Sequence, residues 1–329
     1  MKLFVTGGTG FLGRAVLEDL VKNGHEVHAM IRDERVRLPE NVHPVLSNLT
    51  DVKALLTCLQ GMDAVVHLAG KVSRDTNDGH SLHEIHVTGT RNLMQAMNEA
   101  GVRKLVLAST SGTIAVTTEA GRIATENDIA PMEIIGRWPY YTSKFLQEKE
   151  VLAWDKEDKL EAIILNPTLL LGPGDDRMSS TGDVLKILEG RIPAMTKGTV
   201  AFVDVRDCAP AFSAALEKGR RGHRYLLNGT NVSLRSMIER VARAGDVSMP
   251  MFTLPDRWAK WSAKFIEGVY ESMDRIPPID AVSVEMGCHH WGCSWDKAKS
   301  ELGFVPRDPQ ETIFDTVRDL ERRGLFRKR

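Results

Sequence analysis

Only four cysteines occur in 329 residues, which excludes a disulfide framework for a chain of this size. Charge of one sign is also missing: 43 Lys and Arg stand against 44 Asp and Glu, a net charge of −1, which argues against nucleic acid or another polyanion as a general partner. No uninterrupted apolar run is long enough to span a bilayer. The third residue already belongs to the first apolar run, so no signal peptide is read there and a cytosolic location is the expectation. Internal repeats and low-complexity linkers are lacking too, so any domains should be interleaved rather than strung together. What remains is an apolar content of 42%, enough to bury a full core with room for a main domain and a smaller one.

The chain opens with an apolar run, Lys2 to Thr6, that ends in glycines, after which Ala15, Val16, Leu17, Leu20 and Val21 follow at helical spacing. This reads as strand, tight turn, helix. Gly8-Thr9-Gly10-Phe11-Leu12-Gly13 fits G-x-G-x-x-G, and Gly7 adds the wider G-x-x-G-x-x-G form. Glycines permit the turn and let the backbone approach a pyrophosphate, while the helix N-terminus offers N–H groups and the positive end of its dipole. A bare glycine-rich turn is the competing reading, and the position directly after a strand disfavours it. Glu26 to Ile31 reads as the second strand, and Arg32 stands where NAD enzymes place a carboxylate for the ribose 2′-hydroxyl. A guanidinium there would pair with a 2′-phosphate, which favours NADP; Asp33 beside it keeps NAD open. Asn48-Leu49 after a third apolar stretch, and Leu68-Ala69-Gly70 after a fourth, fall at the carboxyl edge of a parallel sheet, where cofactors bind.

Lys104 to Ala108 is a buried-strand run that stops in Ser109-Thr110-Ser111-Gly112-Thr113, a hydroxyl cluster at the same edge. Tyr140 and Lys144 lie at i and i+4 on one helix and share a face. A phenol with an ordinary pKa near ~10 is a poor acid–base at neutral pH, and an adjacent ammonium would bring it toward the working range. Thr110 could hydrogen-bond a substrate oxygen opposite Tyr140, with Ser111 as the alternative hydroxyl. Tyr141 is the rival phenol, three residues from Lys144. Alone, this spacing is that of many packed aromatics beside a solvated charge; the nucleotide motif gives it meaning.

These residues resemble an extended short-chain dehydrogenase/reductase over nearly the whole chain. The resemblance also rests on Asp63 to Gly70, Asn166-Pro167-Thr168, Gly172-Pro173-Gly174, Phe202 to Asp207, and Lys297-Ala298 with Glu301 to Phe304. Ile31-Arg32-Asp33 and the Asn-Pro-Thr segment resemble the dihydroflavonol reductase, hopanoid-associated and 3β-hydroxysteroid dehydrogenase branch more than the sugar-nucleotide epimerases. The resemblance implies a catalytic set of Thr110, Tyr140 and Lys144, with Tyr140, Lys144 and Asn166 to Thr168 also at the cofactor. It further implies a homodimer through helices around 82–100 and 141–155. Three departures stand out: Thr110 where Ser is commoner, His86 where the family has Asn, and Asn48 for an adenine-contacting Asp, its carbonyl still able to accept from the amino group.

The fold implied is α/β: a doubly wound Rossmann sheet from residues 1–166 with 199–228, and a smaller interleaved substrate lobe from 167–198 with 229–329. On the substrate side Trp258, Trp261, Phe265 and Val269 recur on one face of a helix across residues 257–270. That stripe reads as core packing, as an apolar cover over the site, or as a peripheral contact with a membrane. Family layout adds Trp138 and Met178 to an apolar wall. Cys288 to Cys293 holds two cysteines and two histidines without a usual zinc spacing, and is read as a pocket-shaping loop with no metal. The expected activity is NADP-dependent interconversion of a ketone and a secondary alcohol on a bulky apolar substrate, sterol-, triterpenoid- or flavonoid-like. Decarboxylation after oxidation would use the same residues. The rivals are a sugar-nucleotide epimerase or dehydratase that retains NAD, and a nucleotide sensor without chemistry.

Overall fold

The computed structural model describes every residue except Pro193, Met251, 274–279, Lys328 and Arg329. Apolar runs buried on both faces form the central strands, as a parallel sheet covered on both sides requires. In chain order these and their helices are β1 (Lys2–Thr6), α1 (Phe11–Lys22), β2 (Glu26–Ile31), β3 (Val42–Leu46), α2 (Val52–Leu59) and β4 (Ala64–His67). There follow α3 (Gly79–His83), a π-helical turn at Glu84–Thr88, α4 (Gly89–Ala100), β5 (Lys104–Ala108), α5 (Met132–Ile135), α6 (Pro139–Lys156) and β6 (Glu161–Pro167). Beyond them come β7 (Leu169–Leu171), α7 (Gly182–Leu188), β8 (Thr199–Asp204), α8 (Val205–Lys218), β9 (His223–Leu227), β10 (Thr230–Ser233) and α9 (Leu234–Gly245). The last helices are α10 (Asp256–Ser272), α11 (Ala281–Gly287), α12 (Asp296–Leu302) and α13 (Pro309–Arg322).

Seven strands pair in the order β3-β2-β1-β4-β5-β6-β9, all parallel. This is the doubly wound Rossmann arrangement, reversing between β1 and β4, so the loops after β1, β4, β5 and β6 gather at one edge. One face is filled by Val16, Leu17 and Leu20 of α1 with Phe212 and Leu216 of α8; the other by Leu55 and Leu59 of α2, Leu93 and Met97 of α4 and Val151 of α6.

A second sheet, β10-β8-β7, belongs to a separate core with α7, α9 and α13. Thr199–Asp204, assigned by sequence to the nucleotide domain, is therefore paired with the small sheet, while α8 and β9 return to the large one. The tail departs from expectation as well: Ala298, Leu302 and Phe304 pack into the core of the large sheet. Lys297 lies over the Tyr225 ring at 4.6 Å, and the Tyr225 hydroxyl donates to Glu301 at 2.7 Å. The Lys-Ala…Gly-Phe segment thus packs with the large sheet rather than with the lobe.

Helix α10 turns its small residues inward and its aromatics outward. Ala259 and Ala263 are 4% and 3% exposed, whereas Trp258, Trp261 and Phe265 are 62%, 62% and 61% exposed. Trp261 stacks on Phe265 with centroids 5.7 Å apart. The core-packing reading of this stripe is overturned, because alanines supply the close approach to the protein. Replacing Trp261 and Phe265 together by Ser should leave stability within about 0.5 kcal/mol of wild type, as for other exposed positions, measured by chemical denaturation.

Candidate active site

The glycine turn after β1 is shaped for a close ligand. Gly7 has φ 73°, and a Cβ there would lie 2.4 Å from the Leu68 carbonyl carbon; one on Gly13 would lie 2.2 Å from the Gly7 oxygen. No side chain caps α1 and its first turn holds no acidic residue, so its N–H groups are open to an anion. Phe11, Leu12 and Gly13 form that turn, and Leu68-Ala69-Gly70 lies against it, the Ala69 amide donating to Thr6 Oγ1 at 3.2 Å. These backbone groups could hold a dinucleotide pyrophosphate. At the end of β2, Arg35 takes both oxygens of Asp33, while Arg32 is exposed and makes no ion pair among the described residues. Asn48 corrects an expectation: its Oδ1 already accepts from the Thr50 amide and hydroxyl at 2.8 and 2.5 Å. The amide NH2 is what it has left, so adenine would be met by a donor to a ring nitrogen.

Thr110 caps a short turn after β5, and its hydroxyl lies near enough to the Tyr140 phenol to pull its pKa down against burial. Tyr140 occupies the second position of α6, which Pro139 opens at a place where a missing N–H costs nothing. Lys144, one turn on, is buried, its Nζ donating to the Ala108 carbonyl at 2.7 Å and to Gln147 Oε1 at 2.5 Å. The structure thus brings Thr110, Tyr140 and Lys144 to the end of β5. The electrostatics differ from the sequence reading. Burial, with Tyr141 adding to it, pushes the Tyr140 phenol up, against the opposing pull of the Thr110 hydroxyl. Burial in turn lowers Lys144 to about 8, against the opposing pull of Glu148.

Around the lysine runs a buried polar chain that periodicity does not reveal. Gln147 donates to Thr90 Oγ1 at 2.8 Å; His67 bridges Thr90 at 2.9 Å and Thr6 at 2.6 Å. His86 has both ring nitrogens engaged, one with the Lys71 amide at 3.1 Å and the other with Ser143 Oγ at 2.8 Å. It therefore holds the first turn of α6 rather than standing free as a relay. Burial, then the Lys144 charge, depresses His67 to about 3; the same causes and His67 itself depress His86 to about 2. Ser111 is buried in the turn. Asn166 donates to the Thr110 carbonyl at 3.0 Å and to Glu148 at 2.7 Å, and its buried Oδ1 has no hydrogen-bond partner among the described residues. Thr168 bonds the Leu227 carbonyl, so these two side chains brace the sheet edge and Pro167 offers backbone alone.

Beside Tyr140 rises an aromatic wall. Tyr141 stands edge-on to Tyr140 at 5.0 Å, and its ring sits over Gly112, where a Cβ would be 2.1 Å away. Trp138 and Trp291 stack at 5.6 Å behind it. Trp138 is only 1% exposed, so it backs the wall instead of facing the cleft, and Met178 packs on the lobe core. Trp291 is what Cys288 to Cys293 contributes; His289 bonds the Glu285 carbonyl and Cys293 is buried with its thiol pushed up to about 12 by desolvation. Sequence reading also missed Arg74, which forks onto Asp183 and reaches Ser283 Oγ at 2.9 Å, joining the loop after β4 to α7 and α11.

Both buried histidines hold protons less tightly when folded, so below an ordinary pKa of 6.5 the unfolded chain binds more protons. Stability should fall as pH drops from about 6.5 toward 3, and His86→Asn should flatten that slope, read from unfolding midpoints across pH.

Comparison with known proteins agrees with this geometry. The family model described as NAD dependent epimerase/dehydratase family matches residues 3–227. A putative dihydroflavonol 4-reductase from Synechocystis sp. is 29% identical, covering 98% of this chain and 96% of that protein. Sterol demethylase protein B from Methylococcus capsulatus is 28% identical, covering 99% and 100%. The crystal structure of gox2253 is 30% identical with a TM-score of 0.85, covering 99% of both chains. The chain belongs to the NAD dependent epimerase/dehydratase family, the extended short-chain dehydrogenase/reductases, and is an NAD(P)-dependent enzyme of the dehydrogenase and reductase kind.

Proposed function

We propose that this enzyme is an NADP-dependent reductase that interconverts a ketone and a secondary alcohol on a bulky, mainly apolar substrate of sterol, triterpenoid or flavonoid type. The observation that carries the reading is the gathering of Thr110, Tyr140 and the buried Lys144 at the end of β5 beside the aromatic wall. The relatives named for dihydroflavonol and sterol chemistry support the substrate class. NADP is favoured because Asp33 is neutralised by Arg35 and leaves Arg32 as the charge available to a 2′-phosphate.

A bound nicotinamide dinucleotide supplies the hydride; the chain handles the oxygen and the proton. Thr110 donates a hydrogen bond to the substrate oxygen and Tyr140 gives it a proton. A phenol whose pKa is raised by burial is fully protonated at neutral pH and suits the reductive direction. Lys144 stabilises the phenolate left behind. In this reading the domain built on the large sheet, with Ala298, Leu302 and Phe304 packed into its core, holds the nucleotide, and the lobe around β7, β8 and β10 binds substrate. Homodimerisation uses the helices around 82–100 and 141–155. Among the described residues no helix is long and apolar enough to cross a membrane. The enzyme works in the cytosol, and the exposed aromatics of α10, flanked by Arg257 and Lys264, give it a peripheral membrane contact.

Turnover against steroid, flavonoid and sugar-nucleotide panels tests the reading. Activity confined to sugar nucleotides, with NAD released on denaturing the purified protein, would replace it by the epimerase alternative. Tyr140→Phe should abolish turnover while NADP binding persists. Arg32→Ser should weaken NADP about 10- to 100-fold in a fluorescence titration, the worth of a charged hydrogen bond, with NAD little changed.

A further inference from the structure

Lys144 carries a buried ammonium, and every hydrogen bond that fixes it can be assigned a direction. The Thr90 hydroxyl donates to the His86 carbonyl at 2.6 Å, so its oxygen accepts from Gln147 Nε2 and from His67. His67 therefore carries its proton on Nε2, and its Nδ1 accepts from the Thr6 hydroxyl. Thr6 Oγ1 in turn accepts the Ala69 amide. Gln147 has its NH2 committed to Thr90, which leaves Oε1 with one orientation, aimed at Lys144. Thr6, His67, Thr90 and Gln147 are all fully buried, so water cannot substitute for any of these bonds.

We propose that Gln147 is the positioning residue for Lys144: its oxygen pins the ammonium against the Ala108 carbonyl, and Thr90, His67 and Thr6 hold that amide in register with the glycine loop. The lysine of the proposed reaction is thereby tied to the residue that precedes Gly7, at the point where a pyrophosphate would rest. This rests on the catalytic reading of Lys144 for its consequence, though not for its geometry. A neutral acceptor is what the site calls for, since Lys144 already faces Glu148 on its own helix, His67 from β4 and His86 from the π turn. A second carboxylate would make the ammonium harder to discharge.

Lysine labelled with 13C at the ε-carbon, the Lys144 signal assigned by Lys144→Arg, reads the ammonium directly without substrate. In the wild type that signal should titrate near pH 8. Gln147→Glu should move the midpoint up by about one unit or more. Gln147→Met should move it down, with a kcat loss of about 10- to 100-fold and little change in KM. The acid limb of the turnover profile should follow the NMR midpoint in each variant. Thr90→Val should behave as Gln147→Met does and Thr90→Ser as wild type, which provides a second route if either Gln147 variant fails to fold. Wild-type midpoints in the folded Gln147 and Thr90→Val variants would overturn the proposal, even with an active reductase. Shifted midpoints in a protein that turns over no ketone would uphold the positioning and refute the catalytic reading instead.

Discussion

One ammonium taken out of water at the end of β5 sets the terms for the rest of this site. Burying a charge costs several kcal/mol unless its donors are met, and Lys144 meets a strand-end carbonyl and one amide oxygen. That amide needs a fixed partner, which Thr90 provides from α4; Thr90 needs donors and an acceptor, found in His67 at the end of β4 and the carbonyl freed at the π turn. The demand ends at Thr6, under the glycine loop. Three adjacent strands and two helices are thus joined by side chains whose positions follow from one buried charge.

The same demand explains why two histidines sit in the interior uncharged. An imidazolium beside Lys144 would repel it in a low dielectric, and desolvation already favours the neutral rings. Neutral imidazole has one donor and one acceptor, which matches the alternating chain from Thr6 to Thr90 and from Lys71 to Ser143. An asparagine at position 86 has a shorter side chain than the ring that spans the Lys71 amide and Ser143, and Gly70 is small enough to let that ring in: a Cβ there would lie 2.9 Å from His86 Nε2. The departure from the family pattern at His86 is therefore a change of brace accompanied by space for it.

What could be read from the sequence divides along the same physical line. Apolar runs and helical spacing report local geometry, so the strands of the large sheet, the glycine turn and the shared face of Tyr140 and Lys144 were legible. Partners of buried polar groups come from distant segments: 57 positions separate Gln147 from Thr90, and 61 separate Thr6 from His67. No periodicity records such pairs, although Gln147, one turn from Lys144 on the same helix, was open to inspection. Asn48 shows the converse error, where a side chain's chemistry was right and its local Asx-type bond to Thr50 had already used the group in question. Helix α10 misled because hydrophobic spacing identifies a face without saying which side the protein is on; the buried alanines at 259 and 263 carried that information.

Helix α11 joins the Arg74–Asp183 ion pair to the aromatic wall. Ser283 accepts from Arg74, whose guanidinium also forks onto Asp183 and bears on the Tyr141 phenol. Met286, near the other end of the same short helix, packs with Trp138 and Trp291, and its carbonyl accepts the Trp291 indole N–H at 3.1 Å. The same helix packs against α10. A displacement of α10 would therefore reach Tyr141 through two separate routes, an ion pair and an aromatic stack, and the Tyr141 ring stands 5.0 Å from that of Tyr140. Packed interiors transmit such shifts because they cannot absorb them by compression. The exposed aromatics of α10 and the Tyr140 phenol are thus mechanically adjacent although they lie on different lobes.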